Sequence, residues 1–346
     1  MAPILTRLGQ SFGFGASSGS SPNQASGGTK IPAATAGNAY TYHVFLHPTT
    51  GGDGSNFVVE SVSDGGFNAE FLVIAGGASG GGRNTPMECS GGGGAGGLRT
   101  NATNCAPGGP GTSAEPDYPM SVGTVPVTVG AGGAKFNAPN ASPGYPGGNS
   151  VFGTITSTGG GAGGGNPSPP GGGQTGGSGG GARYNATPTD FGPAATPVQG
   201  HVGGSPNASS PSVQLGGGGG GAGGLASDYG GSNSVDAMGG PGKAAPAFPN
   251  AIIGPAIPAP VRPVFNAVVG TSGVYAGGGG GGGPTGAPAP GGPGGGGSGN
   301  WNSNGGDGVH CTGSGGGGSG SPGSPGSIYN GAGGNGIVIV RYQATA

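Results

Sequence analysis

The sequence predicts a mostly irregular and β fold: a bundle of polyglycine type II helices clamped by a small antiparallel β-sheet, with almost no α-helix. Three observations lead to this prediction. Glycine accounts for 98 of the 346 residues. The glycines are grouped in blocks of similar length instead of being spread evenly. Two apolar, β-branched segments, one before the first block and one after the last, have the composition of buried strands.

The glycine blocks recur along most of the chain. The longest is LGGGGGGAGGL at 215–225, and related blocks occupy 75–82, 91–97, 159–165, 171–181, 277–283, 291–299, 313–320 and 331–336. Collagen is excluded because it needs glycine at every third position, whereas these glycines are consecutive. Flexible Gly/Ser linkers are the main alternative. Only 6% of the residues are charged and the net charge is −2, so self-repulsion would not keep the chain expanded.

Polyglycine can be ordered when its helices pack side by side. A left-handed helix with three residues per turn makes no internal hydrogen bonds, so its N–H and C=O groups point outward. Ordering the backbone costs roughly 1–2 kcal/mol per residue, and a net hydrogen bond returns roughly 0.5–1.5 kcal/mol. Because these terms nearly cancel, we expect a dense bundle with almost all backbone groups paired and apolar ends that fix it.

Strands are predicted at both ends of the glycine-rich region. Consecutive apolar residues at 71–74 and 337–340 indicate strands that are buried on both faces. We therefore expect the first and last strands to lie close together and to clamp one end of the bundle. The predicted strands are 40–46, 57–62, 69–75 and 336–342, with shorter pieces at 122–130, 150–156, 264–270 and 272–277.

The repeated blocks favour one body built from repeating units, with four regions. Residues 1–35 are predicted to be an attachment or oligomerisation segment, with a frayed terminus as the alternative. Residues 36–75 form a β-strand region, 76–336 the glycine bundle and 337–346 the closing strand. The apolar residues of the attachment segment are Ile4, Leu5, Leu8, Phe12 and Phe14. The proline-rich segments at 183–214, 236–263 and 300–312 are predicted to be exposed functional loops.

Motifs and charge favour neither an enzyme nor a cofactor-binding protein. Matches to GxGxxG occur in the glycine blocks, but none lies between a strand and a helix. The carboxylates are few and lack nucleophile–base spacing. His310 beside Cys311 is a weak metal signal, and we predict no metal site. The near-neutral charge gives no basic face for nucleic acid, and the apolar runs are too short for membrane insertion, so neither is expected.

The three cysteines do not predict a disulfide framework. Cys89 and Cys105 could pair across a loop, and Cys311 would then be left over. An odd number of cysteines argues against a framework of structural disulfides. The pairing of Cys89 with Cys105 stays open at this point.

Aromatic side chains in the irregular segments are the candidate binding residues. Exposed aromatics in loops stack on sugars or act as interface anchors, and packing over the glycine bundle as local plugs is the alternative. Trp301 is the strongest candidate because it is the only tryptophan and lies among Asn and Gly. The candidates for receptor binding are Tyr184, Phe191, Tyr229, Phe248, Trp301 and Tyr329.

Several motifs occur in an order that resembles a known family. They include FLVIAGGASGGG at 71–82, GGGGAGGLRT at 91–100, YPMSVGTVPVTVGAGG at 118–133, GGNSVFGTITSTGGGAGGG at 147–165, YAGGGGGGG at 275–283 and GNGIVIVRY at 334–342. The chain resembles the glycine-rich domain of virion appendages of bacteriophages, especially marine phages. It is also similar to the glycine-rich tip adhesins of T-even-like phages. The opening MAPILTRLGQSFGFG is similar to the N-terminus of such proteins.

The resemblance implies a virion protein with polyglycine type II helices and variable loops that touch the host. It implies a tail-fibre or fibre-tip adhesin, commonly a homotrimer, with other fibre or virion proteins as partners. A bacterial surface glycan or outer-membrane protein would be the receptor. The proline-rich loops at 183–214 and 236–263 depart from the shared motifs, so no functional residue can be carried over to them. The alternatives are a capsid or fibre decoration protein without a receptor and, disfavoured by those loops, an ice-binding protein.

Overall fold

The part of the chain that the structure describes combines two antiparallel β-sheets, a helical cap and a large bundle of glycine-rich segments. This computed structural model describes residues 22–47, 56–63, 66–82, 89–136, 142–165, 171–187, 189–206, 215–227, 237–283, 288–301, 303–320 and 328–344. The predicted attachment residues lie outside these ranges: Ile4, Leu5, Leu8, Phe12 and Phe14.

The strands build two sheets and one short ribbon. The larger sheet has the order β2 (Thr29–Ile31), β3 (Tyr40–Leu46), β13 (Ile337–Gln343), β5 (Phe67–Ile74) and β6 (Leu98–Thr100), and β7 (Tyr118–Met120) also pairs with β5. The smaller sheet has the order β1 (Gln24–Ser26), β4 (Asn56–Ser61), β8 (Gly123–Thr128), β9 (Ser150–Phe152) and β10 (Ile155–Ser157). The ribbon consists of β11 (Lys243–Ala244) and β12 (Val274–Tyr275).

The C-terminal strand β13 is the centre of the larger sheet. It pairs with β3 over its whole length, and with β5 from Ile337 opposite Ile74 to Arg341 opposite Glu70. Residues 337–340 are fully buried, as a strand covered on both faces requires. The prediction that the strands before the first and after the last glycine block lie together is confirmed.

Alternate side chains of β13 enter two different cores. Val338 packs with Phe57 and Phe152 of the smaller sheet. Ile339 faces the other way and belongs to a cluster that contains Phe248. The larger sheet is therefore covered on one face by the smaller sheet and on the other by the segment that carries Phe248.

That segment is a helical cap, which the sequence did not predict. It contains α2 (Asn250–Ile253), a 3-10 turn (Gly254–Ala256) and α3 (Arg262–Val269). The prediction of an exposed loop at 236–263 is wrong for this part of it, because Phe248, Ile253 and Ile257 are fully buried.

The predicted strand at 264–270 is also wrong, because α3 occupies this stretch. Phe265 and Val269 lie four residues apart, so they share one helical face, and both are fully buried. Pro263 lies in the first turn, where its fixed φ suits a helix and its missing N–H costs nothing. Burial of this apolar face outweighs the strand preference of the β-branched residues.

The start of the described chain is also part of the folded body. The predicted attachment segment 1–35 contains β1, β2 and most of a short helix, α1 (Ala33–Ala36). β1 pairs with β4 and β2 pairs with β3, so both sheets hold this stretch. The boundary of any separate N-terminal segment therefore lies before Asn23.

The glycine segments form hydrogen bonds with a period of three residues. Along 91–97, the N–H groups at 91, 94 and 97 donate to 158–164, those at 92 and 95 to 217–220, and those at 93 and 96 to 313–316. Residues 91–97 form no hydrogen bond with one another. A three-residue repeat without internal hydrogen bonds is the signature of the polyglycine II helix, so the predicted fold class is confirmed.

The segment 89–97 lies at the centre of the bundle. Besides the three segments that accept its N–H groups, three others donate to its carbonyls: 75–81, 178–181 and 279–282. Together these make six neighbours around one helix. Peripheral helices repeat the pattern, and the N–H groups of 75–82 are shared in the same way among 91–97, 142–148 and 331–334.

The glycine helices pack so closely that most block positions have no room for a side chain. A Cβ at Gly93 would lie 2.2 Å from the carbonyl oxygen of Ala78, and one at Gly96 would lie 2.1 Å from that of Ala75. Ala95 and Ala222 are tolerated because their methyl groups join the apolar cluster beneath the larger sheet. Consecutive glycines are therefore a steric requirement of the bundle.

Proline-containing segments also belong to the bundle, and most of them lie outside the predicted blocks. Proline suits this helix because its fixed φ matches polyproline II, and its carbonyl can still accept a hydrogen bond. The four prolines concerned are exposed, so they lie on outer helices. Gly176 donates to Pro193, Gly223 to Pro241, Gly239 to Pro290 and Gly242 to Pro293.

Two predicted loops are therefore wrong in part. Within 183–214, the N–H of Gly204 donates to Gly218 and that of His201 to Gly221, so this stretch packs in the bundle. Within 300–312, Gly306 donates to Ser298. Backbone pairing with neighbouring glycine helices, which local composition does not reveal, orders these segments.

No disulfide joins the three cysteines, so the pairing of Cys89 with Cys105, which the sequence left open, does not occur. Cys89 forms a bridge with Gly320 in the bundle, whereas Cys105 packs against the cluster under the helical cap. Burial raises the pKa of the Cys311 thiol to about 12.

Candidate functional site

The glycine bundle has one end at the sheets and one end away from them. Segment 75–82 leaves β5 at the sheet end, and its last N–H, that of Gly82, donates to Ser142 across 3.0 Å. Nearby, Ser90 donates to Ser319 across 3.1 Å, and Gly282 donates to Ser90 across 2.8 Å. The residues farthest from the sheets are therefore hydrogen-bonded to each other and form a coherent surface.

This surface, which we call the distal face, contains those ends of the described glycine segments that lie away from the sheets. The gaps at 83–88, 137–141, 166–170, 207–214, 228–236, 284–287 and 321–327 are bordered there by described residues. We define the distal face by those bordering residues and their neighbours: Gly82, Cys89, Phe136, Ser142, Gly165, Gly171, Tyr184, Pro206, Leu215, Ser227, Ala237, Gly283, Pro288, Trp301, Gly320, Ile328 and Tyr329.

Two of the predicted binding residues, Trp301 and Tyr329, lie on segments of the distal face that are linked through Asn304. The N–H of Tyr329 donates to Oδ1 of Asn304 across 2.9 Å, and Asn300 donates from Nδ2 to the carbonyl of Asn304 across 2.6 Å. Asn304 therefore links Asn300 to the strand-like segment at 328–330. Tyr329 is 39% exposed and Trp301 is half-buried, so both have surface available for contact.

A second aromatic pair adjoins them and was missed from the sequence. Phe136 and Tyr145 pack edge to face with ring centroids 5.4 Å apart, and Tyr145 is 52% exposed. The N–H of Phe136 donates to Oδ1 of Asn330 across 2.7 Å, which ties this pair to the neighbour of Tyr329. The prolines on both sides of Tyr145 were the available signal, because they mark an outer helix whose side chains point to solvent.

Tyr184 and Phe191 are half-buried. The N–H of Tyr184 donates to the carbonyl of Cys89 across 2.8 Å, so Tyr184 is at the distal face. Phe191 follows a turn in which Thr187 donates to a carboxylate oxygen of Asp190. Tyr229 lies outside the described residues.

Phe248 is not available for receptor binding and is a correction to the predicted set. It is fully buried at the sheet end, where its ring packs edge to face against Tyr42 at 6.4 Å. The guanidinium of Arg341 lies 5.4 Å from its ring centroid. Phe248 is an anchor of the helical cap, because burying an aromatic ring there closes the apolar face of the larger sheet.

Charge contributes little to the distal half of the bundle. Lys135 and Asp307 form an exposed ion pair at 3.0 Å, and Asp307 also accepts the N–H of Ala332. Within the described ranges there is no group of three His, Cys, Asp or Glu side chains that could hold a metal ion. The arrangement is thus suited to contact through aromatic rings, hydroxyls and amides on a stiff base.

The chain was compared with known protein families and with curated proteins. The profile of a family described as a glycine-rich domain matches residues 55–343, which include the bundle and most of both sheets. No curated protein matches the sequence. None of the helices in the described part of the chain has the length and apolar character needed to cross a membrane.

Proposed function

This chain belongs to the glycine-rich domain family, and from that premise we propose that it is a bacteriophage virion protein, a tail-fibre or fibre-tip adhesin. In this role it displays the distal face to a bacterial surface. The receptor would be a surface glycan or an outer-membrane protein. The action is recognition without catalysis.

The observation that carries the proposal is that the two ends of the molecule differ. Asn23 lies at the sheet end, where its N–H donates to Ala344 across 3.1 Å and its Nδ2 donates to Gln343 across 3.0 Å. The described part of the chain therefore begins at the end opposite the distal face, and residues 1–21 precede it in the sequence. One end is suited to attachment to the particle, and the other is suited to contact with a host.

The bundle supports the proposal because it makes a stiff spacer. Each inner helix is bonded to its neighbours on all sides, so bending one helix requires breaking bonds to several others. A rigid base lowers the entropy cost of binding through the distal aromatics. Several copies on one particle would then bind together, and their combined avidity would exceed the affinity of one copy.

The resemblance to fibre proteins also leads us to propose a homotrimer that is held by the N-terminal segment and attached to another virion protein. Ile4, Leu5, Leu8, Phe12 and Phe14 supply the apolar side chains for such contacts. Trimerisation at one end would leave three distal faces on the same side of the assembly.

A cell-binding experiment tests the proposed function. Fluorescently labelled full chain is incubated with a panel of bacterial isolates, and bound label is measured by flow cytometry. We expect binding to a subset of isolates and a loss of about tenfold or more in affinity for the double variant Trp301→Ala/Tyr329→Ala, as for central aromatic anchors. The matched control is Val264→Ser, because Val264 is 53% exposed on the helical cap.

Two results would overturn the proposal. One is a failure to bind any isolate, which is the behaviour of a decoration protein without a receptor. The other is equal binding by the double variant and by the unmodified chain, which would exclude the distal aromatics as the contact.

A further inference from the structure

A cavity of about 360 Å³ lies at the sheet end, far from the distal face. It opens where β13 separates from β5. The pairing of these strands ends at Arg341 opposite Glu70, whereas β13 continues to pair with β3 as far as Gln343 opposite Tyr40. The cavity therefore has the first residues of β5 on one side and the end of the β3–β13 pair on the other.

The floor of this cavity is held rigidly by two asparagines. Asn101 receives the N–H of Phe71 at 2.8 Å and donates from Nδ2 to the carbonyl of Ala69 at 2.9 Å. Asn23 receives the N–H of Ser63 at 2.8 Å and donates to the carbonyl of Gln343. Because both amides are locked by the backbone on each side, the cavity is preformed and needs no rearrangement to accept a ligand.

The charged groups in and beside the cavity nearly balance one another. Glu70 accepts Nε of Arg341 at 2.6 Å and the hydroxyl of Thr103 at 2.7 Å, so its negative charge is neutralised within the protein. Asp117 is exposed at the rim and accepts a hydrogen bond from Nδ2 of Asn68 at 3.0 Å. At the rim, the carboxylate of Asp117 can accept hydrogen bonds, and the amide of Asn68 can both accept and donate them.

Two aromatic rings form the walls. The guanidinium of Arg341 covers one face of Tyr40, 4.0 Å from the ring centroid. Phe67 packs against Tyr342 with centroids 5.1 Å apart. Both Tyr40 and Phe67 line the cavity and are half-buried, so each side chain keeps some exposed surface.

We infer that this cavity binds a neutral saccharide unit. Sugars present hydroxyls that both donate and accept, together with C–H faces that pack on aromatic rings, and the lining offers a partner for each feature. Its volume lies within the range of about 300–1,000 Å³ that is usual for ligand sites. The exposed carboxylate of Asp117 at the rim disfavours an anion. A divalent cation is disfavoured because Glu70 is already committed to Arg341.

The inference goes beyond the proposed function, because the cavity is at the opposite end from the distal face. A saccharide bound here would touch neither Trp301 nor Tyr329. Its test therefore has an outcome that is independent of whether the distal face recognises bacteria.

The test is a titration of the full chain with D-glucose, D-galactose and N-acetyl-D-glucosamine, followed by ligand-observed saturation-transfer NMR. D-glucosamine and lysine serve as cationic comparison probes. The variants are Asn68→Ala and Asp117→Ala, because both side chains are exposed at the rim. Glu60→Gln is the matched control, since Glu60 is an exposed carboxylate on β4 outside the cavity. Thermal unfolding of each variant confirms that it remains folded.

We expect saturable binding of at least one neutral sugar, weakened about fivefold or more by either rim variant and unchanged by Glu60→Gln. Each rim side chain would contribute a hydrogen bond of roughly 1 kcal/mol, which corresponds to about that factor. Absence of binding by all three neutral sugars would overturn the inference. So would binding of the cationic probes alone, or sugar binding that both rim variants retain in full.

Discussion

The backbone N–H of Gly93 donates to the carbonyl of Gly316 across 2.8 Å, joining two segments that are distant in sequence. The carbonyl of Gly93 in turn accepts the N–H of Gly279 at 2.9 Å. One residue without a side chain thus connects three helices. The bundle depends on many such contacts, and each requires backbones to approach more closely than a Cβ allows.

Gly93→Ala is expected to destabilise the protein by about 3 kcal/mol or more, because the new Cβ would overlap backbone atoms on a rigid neighbour. At 2.2 Å from the carbonyl oxygen of Ala78, it can be accommodated only by moving a helix. Urea unfolding followed by circular dichroism measures the change.

The matched control is Gly283→Ala, at the distal end of another block. Its Cβ would meet only the end of the Leu215 side chain, at 3.1 Å. Its unfolding free energy should change by less than about 1 kcal/mol. Equal stability of the two variants would show that close helix packing is not what holds the bundle.

His43 makes the protein sensitive to acid. Its pKa is lowered to about 4, mainly by burial and also by the charge of Lys30, against opposing contributions from its hydrogen bond to Gly27 and from the charge of Glu60. The unfolded chain binds this proton with a pKa near 6.5, so protons favour the unfolded state as the pH falls below that value. The contribution of His43 to stability is therefore complete above about pH 6.5 and is lost progressively down to about pH 4, by roughly 3 kcal/mol.

His43→Phe removes the titrating group while keeping a ring against Phe57 and Tyr342. We expect the unfolding free energy of this variant to fall less steeply between pH 7 and pH 4 than that of the unmodified chain. His310→Gln, at an exposed position, should leave the slope unchanged. An identical slope for His43→Phe would contradict the assignment of acid sensitivity to His43.

The ion pair between Glu70 and Arg341 is predicted to be important for stability. Arg341 is 8% exposed and also donates from a terminal nitrogen to the carbonyl of Ala247 in the cap. Glu70→Gln leaves this guanidinium without its counter-charge, so we expect a loss of about 3 kcal/mol in chemical denaturation.

Asp307→Asn is the comparison for that variant, because the Lys135–Asp307 pair is exposed to solvent. Exposed pairs contribute less than about 1 kcal/mol, so this variant should unfold at nearly the same denaturant concentration as the unmodified chain. A cost for Glu70→Gln as small as that for Asp307→Asn would show that the partly buried pair is dispensable.

Deletion of residues 1–21 should separate assembly from folding. β1 belongs to the smaller sheet and β2 to the larger one, and the deletion leaves both strands in place. The truncated chain is therefore expected to keep its unfolding midpoint. Light scattering coupled to size-exclusion chromatography should give a trimer for the full chain and a monomer for the truncated one. The full-length double variant Leu5→Ser/Leu8→Ser should also be monomeric. A trimer that persists after the deletion would refute the role assigned to the N-terminal segment.

The central architecture could be predicted from the sequence because two signals agree. Consecutive glycines exclude ordinary α-helices and β-sheets, because these depend on the packing of side chains. The apolar runs at 71–74 and 337–340 supply strands on either side of the blocks. The register of Ile337 with Ile74 follows from chain continuity, because each strand joins directly to a glycine helix.

The missed parts depend on tertiary contacts. The cap at 245–275 is rich in Pro and Ala, and only its packing against Tyr42 and Ile339 identifies Phe248 as a core residue. Segments such as 237–242 have too few glycines to be recognised as bundle members, because the helices around them supply the ordering bonds. Of the site residues, Trp301 and Tyr329 were identified from composition, whereas Tyr145, which lies between Pro143 and Pro146, was missed.

The central claim, that the distal face points away from the virion, can be tested on intact particles. A peptide tag inserted between Pro206 and Leu215 marks the distal face, and a second tag at Met1 marks the N-terminus. Gold-labelled antibodies against each tag are then located by cryo-electron microscopy, and adsorption is measured with and without the distal antibody. We expect distal labels at fibre ends, farther from the particle than N-terminal labels, and blocked adsorption. Labels spread over the head or along a shaft, with adsorption unchanged, would contradict the account.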